Sequence, residues 1–108
     1  MKLSIKDQAE LRCGKCGRQI VIKSEDTLYE AEATQARSMG PEIQHTLWYN
    51  GDCPFCKLVY YFNIDAFEYP EGLINYVDYD TNGVTWWHSK KPTIIDENGN
   101  DVEKDELL

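Results

Sequence analysis

Two short cysteine pairs constrain this chain more than any other feature of its sequence. Cys13 and Cys16 enclose Gly-Lys, Cys53 and Cys56 enclose Pro-Phe, and the sequence holds no other cysteine. Each C-x-x-C turn can present two thiolates to one metal ion, and a second turn completes a tetrahedral shell of four sulfurs. The spacing therefore predicts one metal site with these four cysteines as its ligands.

The residues around the cysteines suit tight turns that point backbone amides at sulfur. Gly14 and Gly17 permit the backbone angles that the first turn needs, and Pro54 fixes φ in the second. Basic side chains flank both turns and can offset thiolate charge: Lys15, Arg18 and Lys57. A β-branched segment follows the first turn and an aromatic one the second, so we expect a strand to leave each turn.

Together these motifs resemble the zinc-ribbon (rubredoxin-like) four-cysteine family over residues 11–65. The resemblance implies a β fold around one zinc ion, and similar chains include small bacterial and phage accessory proteins. The 36 residues between the cysteine pairs exceed the roughly 15–20 of a compact ribbon. Because loop closure becomes only slowly more costly with length, we expect Ile20 to Asn50 to build a hairpin that extends the sheet.

The chemistry of four thiolates favours a structural zinc ion, one per chain. Iron can use the same ligands, but nothing else in the sequence indicates electron transfer. The alternatives are buried free thiols, two disulfides, or a thioredoxin-type redox pair, which needs a C-x-x-C between a strand and a helix. Four cysteines fill the shell and leave no position for an activated water. We therefore expect no enzyme activity.

Composition narrows the class of protein further. The chain has 108 residues and a net charge of −8, divided into +4 over residues 1–23 and −12 over residues 24–108. The acidic part argues against a nucleic-acid surface that covers the whole domain. Met1 to Leu11 has no apolar leader and no segment is long enough to span a membrane, so we expect a cytoplasmic protein with reduced thiols.

Alternation of apolar and polar residues predicts most of the strands. Residues 42–50 place Ile43, His45, Leu47 and Tyr49 on one face, and residues 58–65 alternate in the same way. Asn82-Gly83 is a strong hairpin signal, so we expect a turn that pairs residues 73–80 with 84–88.

These patterns predict a mostly β fold: a zinc ribbon with an extended antiparallel sheet and little helix. Residues 1–95 are expected to form a single domain, and the acidic residues 96–108 a mobile tail. Residues 24–40 stay open between helix and strand, because their Glu and Ala content favours a helix while their polar alternation allows a strand.

The absence of catalytic motifs leaves a protein-interaction adaptor as the favoured hypothesis. Its predicted contact surface combines aromatics with acids on one hairpin: Tyr76, Tyr79, Trp86, Trp87, Asp78 and Asp80. One alternative is a nucleic-acid-binding zinc ribbon that contacts phosphates through Lys15, Arg18 and Lys23. A second alternative is an acidic protein that mimics nucleic acid and occupies a basic groove.

Overall fold

The chain forms three antiparallel sheets. The computed structural model describes residues 1–38 and 40–103, without the side chains of Gln35 and Arg37. The strands over these residues are β1 (Ser4–Ile5), β2 (Gln8–Cys13), β3 (Gln19–Lys23), β4 (Leu28–Arg37), β5 (Gly40–Asp52), β6 (Val59–Glu68), β7 (Ile74–Asn82), β8 (Val84–Trp86) and β9 (Ile94–Ile95). The only helical segments in this part of the chain are two 3-10 turns, Ser24–Asp26 and Trp87–Ser89. The predicted mostly β fold is confirmed.

The strand order places both cysteine turns at the ends of hairpins. β4-β5-β6-β7 is a four-stranded sheet, β3-β2-β8 is a three-stranded sheet, and β1 pairs with β9. The first cysteine turn joins β2 to β3, and the second joins β5 to β6. The four cysteines therefore lie in two hairpin turns, one from each of the two larger sheets.

One continuous core joins the three sheets. Alternate residues of β6 are buried, as the sequence pattern predicts for Tyr60, Phe62 and Ile64. Leu3, just before β1, is buried with them, and the other buried aliphatic side chains come from β1, β2, β3, β5, β6, β8 and β9: Ile5, Ala9, Leu11, Ile20, Ile22, Leu47, Ala66, Val84 and Ile94. Phe62 is among the largest of these side chains and has no exposed surface.

The long segment between the cysteine pairs forms the β4–β5 hairpin. Residues 24–40, which the sequence left open, contain a 3-10 turn followed by the strand β4. β4 pairs with β5 along its length and β5 pairs with β6, so the predicted extension of the sheet is confirmed. The tip residue Met39 lies outside the described residues.

The predicted hairpin at Asn82-Gly83 is wrong in its pairing. Strands do flank Gly83, but β7 pairs with β6 whereas β8 pairs with β2. Gly83 has φ +84, and a Cβ there would lie 3.1 Å from the carbonyl oxygen of Val59. The Asn-Gly dipeptide favours a hairpin turn and this bend equally. The bend carries the chain from the four-stranded sheet to the three-stranded sheet.

A polar network is buried beneath β5 and β6. His45 Nε2 lies 2.6 Å from Glu68 Oε1, and both side chains are fully buried. The Tyr29 hydroxyl lies 2.8 Å from His45 Nδ1, and the N–H of Gly72 donates to Glu68 Oε2 at 2.6 Å. His45, which the alternation of residues 42–50 places on the same face as Leu47, is thus part of a chain of hydrogen bonds.

The residues after β9 turn back onto the sheet. Asp96 Oδ1 accepts from the N–H groups of Asn98 and Asn100, and the N–H of Val102 donates to the carbonyl of Ile94 at 3.1 Å. Residues 104–108 lie outside the described part. The single domain over 1–95 and the mobility of 96–108 stay predictions.

No helix within the described ranges has the length and apolar character needed to cross a bilayer.

Candidate metal centre

The four cysteine sulfurs converge on one point between the two hairpins. All four Sγ atoms lie within 4.8 Å of one another. Cys13 Sγ is 3.5 Å from Cys56 Sγ, and Cys16 Sγ is 3.7 Å from Cys53 Sγ. Tetrahedral metal–sulfur bonds of about 2.3 Å, as for zinc, put neighbouring sulfurs roughly 3.8 Å apart. The donor set and its spacing therefore fit a single metal ion held by four thiolates.

The two turns share one backbone design. In the first, the N–H of Gly17 donates to the carbonyl of Cys13 at 3.0 Å; in the second, the N–H of Lys57 donates to the carbonyl of Cys53 at 2.9 Å. Gly17 and Lys57 both have positive φ, +78 and +68. Each turn therefore reverses the chain in the same way and presents its two sulfurs on the same side.

Backbone N–H groups point at the leading sulfur of each turn. Cys13 Sγ accepts from the N–H groups of Lys15 and Cys16 at 3.4 and 3.5 Å, and Cys53 Sγ accepts from Phe55 at 3.4 Å. The N–H of Cys16 makes the largest contribution, and together these donors lower the pKa of Cys13 from 9.0 to about 6. The fold therefore favours a thiolate at Cys13 before any metal binds.

The second turn contains thiols with opposite shifts. Burial acts to raise the pKa of Cys53, but the N–H groups of Cys56 and Phe55 outweigh it, so that the pKa falls. The N–H of Leu58 acts to lower the pKa of Cys56, yet burial and the neighbouring thiols raise it to about 11. A Cys56 thiol can thus donate its proton toward the Cys13 thiolate, its neighbour at 3.5 Å.

The bend at Gly83, just before β8, holds the first turn in place. The N–H of Gly14 donates to the carbonyl of Gly83 at 2.9 Å. A Cβ on Gly14 would lie 2.8 Å from that oxygen, closer than real contacts allow. Cys13 and Cys53 are buried, whereas Cys16 is exposed, so the cluster opens to solvent on the side of Cys16.

Basic side chains surround the cluster only in part. The Arg18 guanidinium lies 4.5 Å from the centre of the exposed Phe55 ring, and this contact bridges the two turns. Lys15 lies exposed within the first cysteine turn and Arg18 follows that turn, but Lys23 ends β3, roughly 13–17 Å along the chain from Arg18. The three residues proposed for phosphate contact therefore do not form one compact group.

The predicted aromatic and acidic surface divides between two faces of the sheet. Tyr76, Asp78 and Asp80 point from β7 to the face that lies away from the core, and all three are exposed. Tyr79 points to the opposite face, where it is half-buried and its hydroxyl donates to Glu103. Burial raises the pKa of Tyr79, and the hydrogen bond to Glu103 raises it further.

The two adjacent tryptophans also diverge. Trp86 packs against Phe62 and Tyr79, with ring centres 5.4 and 6.1 Å away. Trp87 belongs to the following 3-10 turn and lines a separate groove beside Lys90 and Lys91. The structure therefore brings Tyr79 and Trp86 together as packing residues and leaves Trp87 apart from both groups.

Sequence reasoning missed the strand neighbours of Tyr76 and Asp78. Phe67 stacks on Tyr76 with ring centres 4.6 Å apart, and Asp65 is the direct cross-strand partner of Asp78. The alternation within β6 indicated which residues share a face, but the register between β6 and β7 is a tertiary property. Only that register shows which side chains are neighbours.

Comparisons with protein-family models, with curated proteins and with solved structures find no match to this chain. The fold and the cluster define its class without them. It is an antiparallel β protein in which two like C-x-x-C turns form a four-sulfur site that could hold a metal ion.

Proposed function

We propose that this chain is a zinc-ribbon protein that binds one structural zinc ion through Cys13, Cys16, Cys53 and Cys56. The convergence of four sulfurs at the ends of two like turns carries the proposal. Zinc accepts four thiolates in tetrahedral geometry, and the reducing cytoplasm that the sequence favours keeps such thiols available. Iron would fit the same ligands, but the structure adds no feature that favours electron transfer over a structural site.

The proposed zinc is structural because four protein ligands leave no open position. A catalytic zinc keeps a site for water or substrate. The zinc would instead join the β2–β3 hairpin to the β5–β6 hairpin, and so join two of the three sheets. We propose a binding role rather than catalysis.

Elemental analysis of the purified protein tests the metal assignment. We expect one zinc per chain after purification without chelator, and no red iron–sulfur absorption. A Phe55→Ser variant, altered in the same turn but not at a ligand, should keep its zinc. Less than half a metal ion per chain, or a predominance of iron, would contradict the assignment.

We further propose that the protein acts as an adaptor that contacts another protein. Tyr76 is 55% exposed and stands beside exposed Asp78 and Asp80, a combination suited to interface contacts. Tyr79 and Trp86 are half-buried and pack on the core side of the sheet, and their part in the contact surface stays a prediction. The net charge of −8 favours basic partners.

Nucleic-acid binding is the rival function, and the Arg18–Phe55 contact next to exposed Lys15 is the observation that favours it. Partner capture from native lysate separates the two. Tyr76→Ala should weaken capture of a protein partner, whereas the double variant Lys15→Glu with Arg18→Glu should not. The reverse pattern, with salt-dependent retention on a DNA resin, would instead support nucleic-acid binding.

A further inference from the structure

The central part of the four-stranded sheet carries five carboxylates on the side that faces away from the core. We name this part, bounded by the rows of Glu32 and Asn50, the acidic face and define its carboxylates as Glu30, Glu32, Asp65, Asp78 and Asp80. The strand segments that form it, residues 28–32, 44–50, 61–67 and 76–82, contain no lysine and no arginine. The one histidine among them, His45, points to the buried face. The acidic face therefore has a uniform sign of charge.

The acids are placed where they repel one another. Asp65 is the direct cross-strand partner of Asp78, and Glu30 stands in the same row across the sheet through Thr46. Like charges directly opposite on paired strands destabilise a sheet. A row that works against the stability of its own sheet indicates a role outside folding.

Asp65 is held in a fixed orientation. Its Oδ1 accepts from the Thr46 hydroxyl at 2.8 Å and from the Gln44 amide at 3.1 Å. Both donors are neutral, so they orient the carboxylate without cancelling its charge. Asp65 is thus prepared to receive a cationic group.

Aromatic rings lie among the acids. Phe67 and Tyr76 stack near the β6–β7 end of the face, and Trp48 and Tyr61 line an open concavity of about 480 Å³ together with Glu30. Rings beside carboxylates suit the side chains of arginine and lysine, because the apolar stem packs on a ring while the cation meets an acid.

We propose that the acidic face is the docking site for a lysine- and arginine-rich segment of another protein. This inference rests on the proposed adaptor function and gives the chemistry of its partner. Nucleic acid would be repelled by the five carboxylates. A second copy of this chain, placed face to face, would oppose the same acids to themselves. A basic polypeptide segment is the occupant that the charge and the rings both favour.

A peptide titration followed by NMR tests the docking site. The probe is a short labelled peptide of alternating arginine and glycine, with a glutamine–glycine peptide as its uncharged control, both at physiological salt. We expect the arginine peptide to shift the indole N–H resonance of Trp48 and the backbone resonances of β6 and β7. The indole resonances of Trp86 and Trp87 should stay in place. No binding, or shifts centred on another surface, would overturn the proposal.

Two double variants with the same change of charge distinguish binding at the acidic face from attraction by the net charge of the protein. Asp78→Asn with Asp80→Asn should weaken peptide binding about tenfold, which corresponds to about 1.4 kcal/mol. Asp7→Asn with Glu25→Gln changes exposed acids at the end of the three-stranded sheet and should change affinity less than about twofold. Equal losses in the two pairs would mean that only overall charge attracts the peptide, and would overturn the docking site.

Stability measurements exclude unfolding as the cause of lost binding. Asp78→Asn removes a repulsion opposite Asp65, so the variant should melt at the same temperature as the unmodified protein or higher. Lower affinity with unchanged or raised stability supports the proposal, and lower affinity that follows lower stability counts against it.

If lysate capture succeeds through Tyr76 but the peptide maps elsewhere, the adaptor function stands and this inference fails. If the peptide maps to the face but lysate yields no partner, the adaptor function fails instead.

Discussion

The two cysteine turns have like backbones but prepare their thiols differently. The pKa of Cys13 is lowered to about 6 by backbone N–H groups, whereas that of Cys56 is raised to about 11 by burial and the adjoining thiols. The lowered pKa stabilises the metal-free fold in full above about pH 9, and this contribution declines to nothing as the pH falls from about 9 through about 6. The raised pKa of Cys56 acts in the opposite sense, and its contribution is lost as pH rises through about 11.

Proton release on zinc binding should reveal this difference. Near pH 7.5 a set of four ordinary thiols would release almost four protons. Because Cys13 is already a thiolate, we expect three or fewer, and a rise toward four as the pH falls below about 6. Calorimetric titration in buffers of different ionisation heat measures the number. A value close to four near pH 7.5 would contradict the lowered pKa.

The residue that closes each turn offers a matched pair of substitutions. Gly17→Ala places a side chain at φ +78 and should lower the free energy of unfolding by about 1–2 kcal/mol. Lys57→Gly relieves the same strain at φ +68 but adds freedom to the unfolded chain, so it should change stability by less than about 1 kcal/mol. Urea unfolding of the zinc-loaded variants measures both. If the two variants lost the same amount of stability, strain at positive φ would not be the property that the two positions share.

Among the strands, the alternation of apolar and polar residues predicted which face is buried, but it did not predict which strands pair. The sequence predicted the buried faces of β5 and β6, because each strand has a core side and a solvent side. It left β4 open, because every described side chain of that strand except Tyr29 is exposed and only its pairing with β5 defines it. It misassigned Asn82-Gly83, because whether a bend closes a hairpin depends on Gly14 and Val59, which are remote in sequence.

The candidate site divides in the same way. Cysteine spacing sufficed to predict that the four sulfurs converge, and their role as metal ligands stays a prediction. The acidic face was not predicted as a unit, because Asp65 meets Asp78 only through the register of β6 and β7. The Glu68 partner of His45 was missed for the same reason.

The buried pair between β5 and β6 makes a strong prediction for stability. His45→Leu removes the partner that lies 2.6 Å from the buried Glu68 carboxylate, which keeps the hydrogen bond from the N–H of Gly72, and should cost about 3–5 kcal/mol. The double variant His45→Leu with Glu68→Leu removes the unpaired charge and should recover most of that loss. Chemical denaturation measures both. A double variant no more stable than His45→Leu would show that the pair's polarity is not the cause.

Across the whole molecule, the proposed zinc would connect two sheets that also share a core and hydrogen bonds. The N–H of Gly14 donating to Gly83 is one such bond, between the first turn and the bend after β7. Structural zinc contributes roughly 10–16 kcal/mol of apparent binding free energy in small domains. The metal is therefore expected to determine whether the two cysteine turns stay together.

Loss of one ligand should separate those turns. Cys53→Ser leaves three thiolates, and we expect it to abolish tight zinc binding and to lower the melting temperature to that of the chelator-treated protein. Circular dichroism with and without chelator measures the change, and Phe55→Ser serves as the matched control in the same turn. A Cys53→Ser variant that melts like the zinc-loaded protein would show that the apolar core alone holds the fold.

The pairing of β1 with β9 has a consequence for the order of assembly. Ser4 lies opposite Ile95, about ninety positions later in the chain, whereas the last cysteine is Cys56. During synthesis the proposed zinc site can therefore be completed long before the buried Ile5 finds its strand partner Ile94. We expect zinc capture to precede the docking of the amino-terminal strand, which closes the core last.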